Sequence, residues 1–290
     1  MTQYTARLTG AVPFNLQETF ECGQCFRWLP GDDGSYTGVV GRNVITLRAD
    51  GDDLLVAGLD QAEAEQRLIP YLALDEDYAA IQEQFRRNTQ LAQAVDYARG
   101  IRVLRQDRWE ALCSFIISQN NNIKRIRGIV ETLCDTWGEP LPGGRSSFPG
   151  PEVLASLTEE DLQPLRSGFR AKYILDAARK TASGEVDLDH VASLPTEEAA
   201  AELCRIRGVG IKVAHCALLY GFHRIECLPV DVWMKRVMST MYPQGLPEEL
   251  LPYAGIAQQY LFHYARTCPD VFPAEEKPKK TSRKKQEVCV

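Results

Sequence analysis

Polar and apolar positions divide the 290-residue chain into a short β-patterned stretch and a long helical one. Tyr36–Val40, Val44–Arg48 and Leu54–Ala57 are runs rich in β-branched residues. The turn signals Gly41-Arg42-Asn43 and Asp50-Gly51-Asp52-Asp53 separate them. They predict an antiparallel sheet, followed by helices over 60–74 and 78–85. After Arg99 the apolar spacing turns helical and stays so. It predicts helices over 109–118 and 123–137, from Pro151, from Glu159, after the glycine stop at Ser167-Gly168, and over 253–262. The pattern is that of an α+β chain: an N-terminal antiparallel β-sheet domain with helices (1–98), then an all-α domain (99–275). A basic tail (276–290), with Lys277 to Lys285 as its core, is predicted to be disordered and to add weak, salt-sensitive affinity for a polyanion.

The stretch that organises the helical part is Arg207-Gly208-Val209-Gly210-Ile211-Lys212. Thr196 is placed to N-cap a helix whose apolar positions are Ala200, Leu203 and Ile206. That helix must stop at Gly208. Gly208-Val209-Gly210 reads as a tight hairpin, with a glycine at each end for backbone conformations other residues avoid. A second helix starts near Ile211, so Gly208 and Gly210 sit where free backbone N–H groups at a helix N-terminus can seat a phosphate. Lys212 then lies at the positive end of the helix dipole, with Arg205 and Arg207 nearby in sequence. Like charge and partial burial favour the neutral amine that a nucleophilic lysine requires. Cys216 shares its helix face. Asp231, after Pro229-Val230, opens a third helix (Val232–Met241) and can lean toward the amine. Each also has an ordinary reading: a solvated lysine, a small core cysteine, an N-cap aspartate. The order hairpin, lysine, Pro-Val-Asp is more specific than any member of it.

Charge and cysteine content narrow the classes. With 33 Lys and Arg against 39 Asp and Glu, the net charge of −6 argues against a protein that coats DNA generally. Between Leu203 and Ser239, however, Arg205, Arg207, Lys212, Arg224, Lys235 and Arg236 face only Glu226 and Asp231. No apolar run is long enough to span a membrane, and the N-terminus carries no signal-peptide pattern. Nine scattered cysteines read as reduced thiols. Cys22-Gly23-Gln24-Cys25 lacks the second ligand pair a zinc site needs and the βαβ context of a redox motif.

Arg207 to Asp231 resembles the helix-hairpin-helix, Gly/Pro-rich loop and aspartate signature of the DNA glycosylase superfamily. Within it the chain is most similar to the 8-oxoguanine DNA glycosylase/AP lyase family, in matching order from about Phe20 to Pro269. The further matching stretches are Gly23-Gln24-Cys25-Phe26-Arg27-Trp28, Asn120-Asn121-Asn122-Ile123-Lys124-Arg125, Phe169-Arg170, and Gln258 with Phe262. The resemblance implies that Lys212 attacks the sugar to form a Schiff base and that Asp231 stabilises the cationic sugar or assists proton transfer. It gives Gly23 a carbonyl for N7–H of the lesion, Gln258 the Watson–Crick edge, and Phe262 and Cys216 the two faces of the flipped base. Asn120 would fill the vacated space in the duplex, Phe169 would wedge the stack, and Arg125 and Arg170 would read the opposite cytosine. One departure stands out: Trp233 occupies a position where the family commonly has a phosphate-contacting histidine. The implied partner is duplex DNA carrying an oxidised purine, bound by a monomer away from membranes, in the cytoplasm of a bacterium or the nucleus of a eukaryote. No redox cofactor is implied. A monovalent cation at the hairpin is compatible with the family, and no four-cysteine cluster follows the hairpin to hold iron and sulfur. The rival readings are a monofunctional glycosylase for alkylated bases, a non-catalytic damage-binding module, and a thiol oxidoreductase built on Cys22 and Cys25.

Overall fold

The computed structural model describes residues 2–272, so the basic tail lies outside the described residues. Its N-terminal sheet contains β1 (Ala6–Leu8), β2 (Leu29–Pro30), β3 (Tyr36–Val40), β4 (Asn43–Asp50) and β5 (Asp53–Ala57). The spatial order is β1-β5-β4-β3-β2, and every pairing is antiparallel. The three predicted strands form its centre. The two edge strands carry three and two residues, too few to display an alternating pattern.

Tyr36, Ile45, Leu47, Leu54 and Val56 bury one face of this sheet. They do so together with Leu16 and Phe20 of α1 (Leu16–Glu21) and Ala64 and Leu68 of α2 (Gln61–Tyr71). Helix α2 begins at a capping box in which Asp60 and Glu63 satisfy each other's backbone N–H groups. It ends at Tyr71, three residues short of the predicted end, and Ala73 then turns left-handed (φ 51°).

The remaining helices are α3 (Tyr78–Arg86), α4 (Thr89–Tyr97), α5 (Arg108–Ser118), α6 (Ile123–Trp137), α7 (Pro151–Ala155), α8 (Arg170–Ala182), α9 (Leu188–Ser193), α10 (Thr196–Leu203), α11 (Ile211–Gly221), α12 (Val232–Met241) and α13 (Ala254–Thr267). At their centre is α5, buried on every side from Ala111 to Ile117 and packed against α11. An all-round apolar helix of this kind is what a core of this size requires. A two-stranded ribbon, Pro140–Leu141 with Arg145–Ser146, interrupts the helical body.

The apolar core of the helical body includes Tyr78, Ile81 and Phe85 of α3 and Leu91, Ala94 and Val95 of α4, whereas the sheet's core ends at Leu72 but for Leu104. The division of apolar packing therefore falls between α2 and α3. The sheet has one face to cover, α1 and α2 cover it, and α4 packs on α13 instead. No α-helix forms from Glu159. That segment is a turn leading to a single 3-10 turn at Gln163–Leu165, because Pro164 donates no N–H and Arg166 turns left-handed (φ 47°).

Candidate active site

The hairpin joins α10 to α11. Thr196 does not cap α10: Pro195 holds the N-cap position, and the Thr196 hydroxyl is drawn away to donate to the Glu226 carboxylate. Gly208 has φ +80°, and a Cβ there would lie 2.3 Å from the Tyr173 ring, so glycine is required twice over. Gly210 is different. Its backbone is extended (φ −101°, ψ 176°), open to any residue. What it provides is a bare approach, since nothing lies within 4 Å of a Cβ built on it. The Val209 N–H is held by the Ile206 carbonyl at 3.0 Å, while the amides of Gly208, Gly210, Ile211 and Lys212 meet no acceptor among the described residues. The hairpin therefore has free backbone N–H groups where the spacing placed them.

Lys212 and Asp231 line one cavity of about 250 Å³. Lys212 stands in the first turn of α11. Asp231 N-caps α12, its Oδ1 accepting the Met234 N–H at 2.8 Å, and it lines the cavity as well. Its capping and catalytic readings are therefore compatible. The buried Cys216 is on the same wall. Burial pushes its thiol up, and the nearby Lys212 ammonium opposes that shift. Arg205 does not contribute the like charge expected beside Lys212, because its guanidinium pairs with Glu202 and Glu185. The arginine that does share the cavity is Arg266.

The Gly23 motif is a scaffold for one exposed backbone turn. Gln24 is fully buried: its Nε2 donates to the carbonyls of Thr19 (2.9 Å) and Arg102 (2.8 Å), and its Oε1 accepts from the Leu104 N–H (2.9 Å). Trp28 stacks on Phe20 at 4.2 Å, in a slot that exists because Gly38 has no Cβ. Arg27 is buried beside Glu110 and Glu131. Between these anchors Gly23 takes φ +92° and lines the cavity, where a Cβ would press on Ile123 (3.1 Å), Phe262 (3.4 Å) and Arg266 (3.5 Å). Its carbonyl accepts no hydrogen bond from any described residue. Cys22 and Cys25 are free and buried, and burial pushes the Cys22 thiol up to about 12. A redox thiol needs the opposite shift, which removes the support for the oxidoreductase reading.

Gln258 and Phe262 project from α13 into the same cavity. Tyr220, from α11, has one hydroxyl proton and two glutamine oxygens in reach, Gln259 Oε1 at 2.5 Å and Gln258 Oε1 at 3.4 Å. The shorter bond takes the proton, leaving the Gln258 carboxamide available to a ligand. Gln259 is also anchored through its Nε2 to the Cys22 carbonyl at 3.2 Å, which ties α13 to the Gly23 turn. Sequence reading gave no site role to Tyr220, Gln259, Phe115 or Arg266. Two of them had a local signal on one helix face: Arg266, four and eight residues beyond Phe262 and Gln258, and Tyr220, four and eight residues beyond Cys216 and Lys212.

Of the residues matched to duplex contacts, Asn120 and Phe169 line an open pocket that shares Lys212, Asp231 and Trp233 with the cavity. Asn122 caps α6 by accepting the Arg125 N–H, and Asn121 donates to the Ile117 carbonyl, which leaves Asn120 exposed at a left-handed turn (φ 46°). Phe169 is 45% exposed, edge-on to Tyr173. Arg125 is exposed and donates through Nη2 to the Arg166 carbonyl at 2.9 Å. Arg170, in contrast, is buried, and its Nε, Nη1 and Nη2 donate to the carbonyls of Gln119, Ser167 and Asn120 at 2.8, 3.0 and 2.8 Å. To read a base through two donors it must give up at least one of these carbonyls. Trp233 lines the cavity with the Arg236 guanidinium 4.6 Å from its ring centroid.

Residues 8–112 match the family model of the 8-oxoguanine DNA glycosylase N-terminal domain, and residues 113–245 that of the HhH-GPD superfamily base excision DNA repair proteins. The N-glycosylase/DNA lyase OGG1 of Arabidopsis thaliana is 30% identical over 277 residues, covering 85% of this chain and 76% of that protein. The structure of MBOgg1 with a low-affinity DNA ligand superposes with TM-score 0.85 at 41% identity, over 90% of this chain and 95% of that one. The Clostridium acetobutylicum 8-oxoguanine glycosylase/lyase, in complex with double-stranded DNA containing cytosine opposite 8-oxoguanine, gives 0.83 at 34% over 88% and 92%. Among the described residues no helix is long and apolar enough to cross a membrane. The chain belongs to the 8-oxoguanine DNA glycosylase family of the helix-hairpin-helix (HhH-GPD) superfamily.

Proposed function

We propose that the protein is a bifunctional DNA glycosylase/AP lyase that excises 8-oxoguanine paired with cytosine from duplex DNA. The observation that carries this reading is one cavity that brings together an amine (Lys212), a carboxylate (Asp231), an aromatic face (Phe262) and a bare backbone turn (Gly23). The free hairpin amides and Lys235 bind backbone phosphates, and the lesion is everted at a cost of roughly a few kcal/mol. The unprotonated Lys212 nitrogen bonds to C1′ as the bond from C1′ to the base nitrogen breaks, its electron pair leaving with the base. Asp231 stabilises the positive charge that develops on the sugar. Opening of the sugar ring gives a Schiff base, and loss of the proton from C2′ then expels the 3′ phosphate. The chemistry requires no redox cofactor. Carbonyls of the hairpin and a phosphate can share a monovalent cation without entering these steps. The setting is the cytoplasm of a bacterium or the nucleus of a eukaryote. The test is single-turnover reaction of the protein with an 8-oxoguanine:cytosine duplex in the presence of borohydride. A trapped covalent adduct supports the reading, whereas free base without an adduct moves it to a monofunctional glycosylase.

Two substitutions separate roles within this site. Asn caps a helix as well as Asp does. Asp231→Asn therefore leaves the thermal unfolding midpoint essentially unchanged while excision slows by roughly 10²–10³-fold, the scale of losing one electrostatic stabiliser. A melting point that falls together with the rate would assign Asp231 to the cap alone. Arg125, exposed and held by one carbonyl where Arg170 is held by three, is the residue assigned to read the opposite base. Arg125→Ala should lower excision opposite cytosine, relative to adenine, guanine or thymine, by the roughly 1–3 kcal/mol of a bidentate base contact. Rates measured opposite all four bases decide it, and an unchanged ranking removes Arg125 from discrimination.

A further inference from the structure

Arg266 stands out once the rest of the cavity has been assigned. It projects from α13 one turn beyond Phe262, lines the cavity with Lys212 and Asp231, and is part-buried. Its guanidinium lies 5.4 Å from the Phe262 ring centroid. Its Nη1 is the atom that a Cβ on Gly23 would approach to 3.5 Å. Among the described residues it makes no hydrogen bond and no ion pair, whereas the partly buried Arg105, Arg127 and Arg145 each have one. Burial depresses its basicity, and its charge faces Asp231 and Cys22 without touching either. A guanidinium carries five donors and no acceptor, so a ligand that satisfies it must bring acceptor oxygens or nitrogens. Gly23, which lines the same cavity, has a carbonyl that accepts from no described residue. The cavity wall at this point thus offers a ligand one unused acceptor and a set of unused donors.

Resting on the base-excision reading, we propose that Arg266 is a base-recognition residue, donating to an exocyclic carbonyl oxygen of the everted oxidised purine. An oxidised purine offers a matching edge, since oxidation at C8 places a carbonyl oxygen directly beside a ring N–H. A donor fork and a carbonyl acceptor read that pair together, while an unoxidised purine brings a bare ring nitrogen to the Gly23 carbonyl. The ring-opened purines, which carry a formyl oxygen on the same side, belong to the same substrate class. Arg266 also provides a second cation in the cavity that holds Lys212.

The test compares wild type, Arg266→Gln and Arg266→Lys in two single-turnover assays: release of 8-oxoguanine opposite cytosine, and nicking of a preformed abasic duplex, which presents no base to recognise. In Arg266→Gln the ratio of excision to nicking should fall by about 10- to 100-fold, the range for a hydrogen bond to a charged group. Arg266→Lys, which keeps the charge without the planar fork, should recover part of the loss. The proposal is overturned if the ratio stays within about twofold of wild type, or if both rates fall together as they would for a residue that only shapes the pocket. A wild-type protein that nicks the abasic duplex but leaves 8-oxoguanine in place would overturn the base-excision reading itself, and this assignment with it.

Discussion

Lys212→Gln should abolish the borohydride-trapped adduct and slow release of 8-oxoguanine by on the order of 10⁴-fold or more, the scale seen when a covalent nucleophile is removed. The substitution keeps a polar side chain of nearly the same length, so the cavity wall formed by Cys216 and Tyr220 stays in place. The fold should not suffer. Lys212 stands in the first turn of α11, where a cation opposes the helix dipole, so its removal is expected to stabilise the protein by about 0.3–1 kcal/mol. The combination is diagnostic: a large chemical loss with an equal or higher melting temperature. Duplex binding should persist, because the four free hairpin amides are backbone groups that the substitution does not alter. An adduct that survives in Lys212→Gln would place the nucleophile elsewhere. Loss of the adduct with a matching drop in melting temperature would reduce Lys212 to a structural role.

The parts of this site that were legible in sequence are those that depend on spacing along one element. The glycine stop, the lysine one helical turn from Cys216, and Asp231 at a helix start follow from periodicity and capping chemistry, which need no tertiary information. The sheet was legible where strands were long enough to alternate, and the edge strands were not. What the chain order hides is which element covers which. Nothing local shows that α3 and α4 leave the sheet for α13, because their apolar faces suit either partner. Side-chain direction is hidden too: Arg125 and Arg170 both read as duplex contacts, yet one faces outward and the other clamps the carbonyls of Gln119, Ser167 and Asn120. Tyr220 shares a helix face with Lys212 and Cys216, but its link through Gln259 to the Cys22 carbonyl spans α11, α13 and the Gly23 turn, which no window of sequence contains. Gly210 carried the opposite error. Glycine there signalled a strained turn, whereas the backbone is extended and what matters is the missing side chain.

Gly208→Ala should destabilise the protein by about 2–5 kcal/mol, from two separable causes. Holding an alanine at φ +80° costs roughly 1–2 kcal/mol, and forcing its methyl into the Tyr173 ring adds about 1–3 kcal/mol of overpacking. At roughly 2–4 °C per kcal/mol for a large domain, the melting midpoint should drop by roughly 4–20 °C. The effect reaches beyond the hairpin. Tyr173 is the ring against which Phe169 packs edge-on at 5.7 Å, so a tyrosine pushed off the hairpin also displaces the side chain matched to the duplex wedge. Gly208→Ala is therefore expected to weaken duplex binding through the hairpin and through Phe169 at once. A double-mutant cycle separates the causes. Tyr173→Ala clears the space, so adding Gly208→Ala to it should cost only the backbone portion, and the two changes should be non-additive by about 1–3 kcal/mol. Strict additivity in unfolding experiments would mean that hairpin and wedge are not coupled through this ring.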